Sequence, residues 1–158
     1  MSVNPNWERW IFASISKHFD DRREGVMLLI EGQKQNIPSP KDLFELRVDG
    51  PDFTEQSRDE WYISIEVGVL VSATNDNKDY HRIHRLCGII TQAFTDIPVF
   101  RFGDGPADDG SLLGCLVLQQ DGNRNTIQVT PFGKRDVAVP IMQSSVEAKF
   151  AMTLTQGS

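Results

Sequence analysis

The sequence predicts an α+β fold, a single domain in which two α-helices pack on one face of a mainly antiparallel β-sheet. Three observations predict it. Residues 61–73 read W-Y-I-S-I-E-V-G-V-L-V-S-A, and every odd position is apolar: Trp61, Ile63, Ile65, Val67, Val69, Val71 and Ala73. That is the two-residue period of a strand with one buried face. Residues 144–154 repeat the pattern with Val146, Ala148, Phe150, Met152 and Leu154, so the two stretches are expected to pair as a long β-hairpin-like ribbon. Two other stretches, 5–21 and 78–95, carry apolar side chains at helical spacing.

Each element follows in order. Asn4 and Pro5 suit a helix start, because Asn can cap free N–H groups and Pro is at home in the first turn. On that helix Trp7, Trp10, Ile11, Phe12, Ile15 and Phe19 cover an arc of roughly 200°, where one core-facing stripe needs little over 100°. Either a partner covers the excess, or the helix is deeply embedded in its own domain. Val26 to Ile30 read as a short strand, and Phe44, Leu46 and Val48 alternate within 43–48. Residues 49–59 are turn-rich, and with 61–73 these strands are expected to form an antiparallel meander.

At about 3.3 Å per residue, 61–73 would run roughly 43 Å, longer than a domain only about 30 Å across. The strand is therefore expected to bend or to reach a neighbour, its apolar face core near the middle and interface towards one end. Residues 74–77 stop it. Tyr80, Ile83, Leu86, Cys87, Ile90 and Phe94 line one face of the second helix, which Pro98 ends. A short strand at 99–100 and another at 112–119 follow. The Asp121-Gly122-Asn123 turn then suggests 126–130, with Ile127 and Val129, as a hairpin partner of 112–119. The domain is expected to span 1–154, with a disordered tail at 155–158.

Bulk properties narrow the function. The chain has 158 residues, 24% of them charged, and a net charge of −6, which argues against a surface that grips nucleic acid by counterion release. No apolar run reaches the length of a membrane span, and the N-terminus lacks a signal-peptide core. Cys87 and Cys115 read as buried thiols in a reducing compartment.

Candidate chemistry is sparse. His81 and His84, three apart, could begin a metal site, but Arg82 and Arg85 beside them would repel a cation. That helix face suits an acidic partner surface better. His18, near the end of the first helix, is placed for a favourable dipole interaction as a cation. Residues 103–110 (G-D-G-P-A-D-D-G) lack both the ligand spacing of an EF-hand and the Lys of a phosphate loop. They read as turns, or as a surface hairpin that orders on assembly. Asp20-Asp21 and Asp108-Asp109 are adjacent acids of the solvated kind, and no Gly-x-Ser-x-Gly elbow exists. Nothing points to an active site, a cofactor or a metal.

Four segments carry a resemblance: Asn6-Trp7-Glu8-Arg9-Trp10-Ile11-Phe12-Ala13, Leu46-Arg47-Val48-Asp49-Gly50-Pro51, Asp79-Tyr80-His81-Arg82-Ile83-His84-Arg85-Leu86 and Ser111-Leu112-Leu113-Gly114-Cys115-Leu116. With the amphipathic last strand, they make the chain resemble the tail terminator (tail-completion) proteins of long-tailed bacteriophages. The resemblance spans nearly the whole chain, in order, and is one of overall pattern rather than of a diagnostic motif. It implies a virion protein assembled in the host bacterial cytoplasm that forms a homo-oligomeric ring, a hexamer, on the tail tube. Such a ring stops tube polymerisation and offers a docking surface to the head–tail connector. DNA would pass its lumen without specific binding, and no membrane, cofactor or catalytic residue is implied. Subunit contacts are expected from Trp7, Trp10 and Phe12 and from the long strand through Trp61, Ile63, Val69 and Val71. The rival readings are another neck component (a stopper or adaptor), a small hydrolase or nuclease-like enzyme, and a monomeric binding module.

Overall fold

Two fifteen-residue strands, β3 (Glu60–Thr74) and β9 (Ile141–Thr155), pair antiparallel along their whole length and form the axis of the domain. The computed structural model describes residues 3–31, 42–74, 81–121, 124–134 and 141–156. Around that ribbon lie α1 (Trp7–Asp20), β1 (Met27–Ile30), β2 (Leu43–Glu55), α2 (Arg82–Ala93), β4 (Ile97–Phe100), β5 (Leu112–Leu118), β6 (Gln120–Asp121), β7 (Arg124–Asn125) and β8 (Gln128–Lys134). The main sheet has seven strands in the order β1-β2-β3-β9-β5-β4, with β8 also paired to β9. The fold is α+β, as the alternation predicts.

Three strand expectations are corrected. β1 runs parallel to β2, so the first three strands are not an antiparallel meander. Twelve residues separate Ile30 from Leu43, enough for the crossover a parallel pair needs. The turn-rich segment after Val48 is strand: β2 continues to Glu55 against β3. A register shift between Asp49 and Asp52 absorbs the irregular Gly50 (φ +108°) and the cis Gly50–Pro51 bond. Turn propensity gives way there to backbone pairing with β3 on both sides of the shift. Finally, β8 pairs with β9 and not with β5.

The helices are shorter than expected. Asn4 accepts the Asn6 N–H through its side chain (2.9 Å), so residues 4–6 form a turn and α1 begins at Trp7. Nearly all of its wide apolar arc is internal, since Trp7, Trp10, Ile11, Ile15 and Phe19 are buried in the chain itself. The sheet curls so that α1 touches both β2 and β4, while α2 lies over β3 and β9. α2 ends at Ala93, and its expected start at 78 lies outside the described residues. Phe94 links the layers, meeting Phe19 edge-on at 5.2 Å and stacking on Phe150 at 6.2 Å. At the other end of the chain, Thr155 is still strand and the Gln156 N–H donates to the Asp59 carbonyl (2.7 Å). The expected disordered tail is therefore corrected for these two residues, and 157–158 lie outside the described residues.

Candidate subunit interface

The seven residues expected to touch a neighbour divide sharply. Trp7, Ile63, Val69 and Val71 are fully buried in the chain's own core, and Trp10 is 2% exposed. They have no surface left to offer, which corrects the expectation for these five. The physical reason is the curl of the sheet. It brings the long strand under α2, with α1 packed beside it on β2 and β4, so that the apolar face from Ile63 to Ala73 is core throughout. Trp61, at the strand's start, is half-buried, and its indole N–H has no acceptor among the described residues. Phe12 is 39% exposed.

The loop between β4 and β5 is held from inside the chain. Arg9 forks onto the Asp108 carboxylate with both terminal nitrogens (2.8 Å each), and the Trp10 indole N–H donates to the same carboxylate at 2.6 Å. Gly105 N–H adds a fourth bond (2.8 Å). The Asp108 side chain is 1% exposed, and the Arg9 and Trp10 hydrogen bonds hold its pKa well below the usual carboxylate range. A Cβ at Gly103 (φ +143°) would collide with Arg9 and Asp108, so only glycine fits there. The loop is thus organised without a partner, where ordering on assembly was one of the two readings. Sequence reading saw the acids but not their cation, 99 positions away.

Ser14 and His18 were missed or misread for the same reason. Ser14 Oγ accepts the Phe100 N–H (2.9 Å) and donates to the Phe100 carbonyl, closing the open edge of β4. His18 is buried, and its Nε2 donates to the Ala93 carbonyl at 2.8 Å. Burial pushes its pKa down, so it sits in the core as a neutral donor and not as a cation at the helix end. Cys87 is buried, and burial raises its pKa; Cys115 is exposed, against expectation. His84 and Arg85 are exposed on α2, His81 is exposed at its N-cap, and Arg82 binds Asp42 (2.6 Å). Among the described residues, no three His, Cys, Asp or Glu side chains gather as a metal site would require, and no helix is long and apolar enough to cross a membrane.

Two surfaces remain open. One is the helix-free face of the sheet, where Glu45, Asp49, Asp52, Glu66 and Glu147 outnumber Arg47 and Lys149. Register places Arg47, Gly68 and Glu147 in one row, and the missing Gly68 side chain leaves a shallow hollow there. The other is the side of β9 lined by β8 and the last residues of β5, the earlier part of β5 (Leu112 to Leu116) being paired with β4. Leu118 pairs with Phe150, Gln119 N–H donates to Lys149, and Gln128 pairs with Glu147, all along one side of β9. The chain takes nine steps from Gln119 to Gln128 where β9 takes two, an excess of seven residues. β5 and β8 are therefore one strand with an inserted arm at 120–126, which contains the small β6–β7 hairpin. Alternation continues across the insertion: Leu116 and Leu118 are buried, Ile127 packs on the core, and Val129 pairs with core Val146. Of the five large apolar side chains exposed among the described residues, four lie on this composite strand: Leu112, Val117, Val129 and Phe132. The fifth is Phe12. The four on the strand do not form one patch: Val117 points away from buried Leu116 and Leu118, Val129 shares the side of core Val146, and Phe132 lines the hollow at Gly68 on the helix-free side.

The fold and these surfaces define a curled-sheet α+β domain with an acid-rich face that no helix covers. No family model matches the sequence, and no curated protein matches it either. Among solved structures, a chain whose name carries no functional description aligns over 94% of this chain and 95% of its own length, with a TM-score of 0.53 and 11% identity. That likeness is one of fold alone.

Proposed function

We propose that this chain is a ring-forming structural protein of a phage tail, of the tail-terminator kind. Copies of it cap the tail tube, end its polymerisation and present the docking surface for the head–tail connector. The observation that carries the reading is the acid-rich sheet face that no helix covers, with Phe132 of the neighbouring β8 exposed beside it. Exposed β8 suits contact between copies, and heterologous contacts between identical chains close into a ring when the rotation between neighbours closes. The acidic face suits a lumen, because like charge discourages DNA from sticking as it passes. The chain-long resemblance described above supplies the tail context.

In this reading the protein is a virion component without catalysis, membrane or cofactor. Its partners are its own copies, six to a ring, then the tube protein and the connector. Electron microscopy of tails assembled without the protein tests the role. The expected result is overgrown tubes that fail to join heads; tails of normal, fixed length would refute termination.

A further inference from the structure

We infer that the hollow at Gly68 receives Arg58, at the tip of the β2–β3 hairpin, from the next copy of this chain. The contact rests on the ring reading above and names its head-to-tail joint.

The hollow is a single surface on the acid-rich face. It has a volume of about 390 Å³, with the carboxylates of Glu31, Asp49, Glu66 and Glu147 around one cation, Arg47. Arg47 leans to Glu45 at 3.5 Å, so the hollow keeps an excess of negative charge. Gly68 gives it depth, since a Cβ there would lie 3.4 Å from the Glu147 side chain. Ser145 Oγ donates to Glu147 Oε1 at 2.8 Å and holds that carboxylate in place. Leu70 and Phe132 add apolar wall, Phe132 being 52% exposed. Carboxylates beside an aromatic ring and an aliphatic wall suit an arginine, whose stem is apolar and whose guanidinium forks onto carboxylates.

The chain carries one such arginine to spare. Among the described side chains, every lysine and arginine off this face is engaged, Arg58 excepted. Arg9, Lys17, Arg23 and Arg82 hold carboxylates. Arg22 and Arg101 hold oxygens of their own chain, and Arg85 is engaged too. Arg58 is exposed on the turn that closes the hairpin, where the Gln56 N–H donates to the Glu60 carbonyl (3.0 Å). The Gln156 N–H holds the carbonyl of neighbouring Asp59, so the tip is ordered before it meets a partner and loses less entropy on docking.

Arg58 cannot serve its own hollow. Gly68 is eight residues along β3 from Glu60, roughly 26 Å at about 3.3 Å per residue, far beyond one side chain's reach. Only another copy brings the two together, and a joint between two different patches is the kind a ring needs. Asp59, beside Arg58, then meets Arg47, which stands across Gly68 from Glu147, so adjacent opposite charges face a matching pair. Glu55 and Glu60 stand at the base of the turn, behind the contact.

Charge reversal tests the joint. Arg58→Glu should weaken association at least about tenfold, and so should Glu147→Arg, read by native mass spectrometry across a dilution series. Both changes in one chain restore opposite charges and should bring the rings back. Gly68→Leu fills the hollow without changing charge and should weaken association as well. None of these residues is core, so circular dichroism and melting should match the wild type. Should a reversal fold poorly, Arg58→Gln and Glu147→Gln carry the test: together they should weaken association no more than either alone. Rings of wild-type strength in Arg58→Glu, or a double reversal that stays apart, would overturn this joint while leaving the ring reading in place. A monomeric wild type would overturn both.

Discussion

The β3–β9 ribbon and the composite β5–β8 strand belong to the same sheet, yet the ribbon's apolar face is covered and the β8 part of the composite strand is not. On the ribbon, the apolar face from Ile63 to Ala73 is buried, as are Val146, Ala148, Phe150, Met152 and Leu154. On the composite strand Leu116 and Leu118 are buried, but Leu112, Val129 and Phe132 remain exposed, and so does Val117 on the opposite side. The difference is cover. α2 lies across the ribbon, while Val129 points to the same side of the sheet and is left about half exposed at the rim. Pattern decides which side of a strand is apolar; position in the sheet decides whether anything covers it.

That contrast can be broken from its strongest side first. Phe150→Ala empties a fully buried site beneath Phe94 and should cost about 3–5 kcal/mol in chemical denaturation. A loss below about 1 kcal/mol would mean that the ribbon is not the core. Gly103→Ala should come next. It drives a methyl group into the Arg9–Asp108 pair and should sharply raise amide exchange in residues 101–111 while leaving β3 and β9 protected.

Two acid titrations sharpen the picture. His18 has a folded pKa below its ordinary value, so the unfolded chain binds its proton first. Its contribution is whole above about pH 6.5 and shrinks as pH falls below that. Replacement by Gln, a neutral donor, should flatten that part of the stability curve. Asp108 titrates lower: its contribution is present above about pH 4 and is lost as pH falls towards its depressed folded value. Asp108→Asn should remove this slope, measured as melting temperature against pH. The smallest effect belongs to the edge. Deleting 120–126 joins Gln119 to Ile127 in register and should change stability by no more than about 1 kcal/mol. Global unfolding on deletion would show that the arm is part of the core.

Much of this was legible in one dimension. The odd positions of 61–73 and the even positions of 144–154 named the ribbon, its pairing and its buried face correctly. Both helices were placed within a few residues, because periodicity is a local property that each segment carries alone. Legibility ended wherever a residue's partner was distant. Asp108 looked like a solvated turn acid until Arg9 and Trp10 were brought to it from α1. His18 looked like a helix-end cation until the Ala93 carbonyl and the core closed over it. The hairpin expected from Asp121-Gly122-Asn123 exists only as the β6–β7 arm, because the strand after it continues β5 along β9.

The sequence by itself determined the class of fold, the identity of the two long strands and the side of each that turns inward, since these follow from alternation along the chain. Only the tertiary structure decided how far burial extends. The sheet's curl and α2 buried all of the long strand's apolar face from Ile63 onward and left Val129 and Phe132 of β8 exposed. Periodicity records which side of a strand is apolar, but the number of layers that fold over it depends on how distant segments meet.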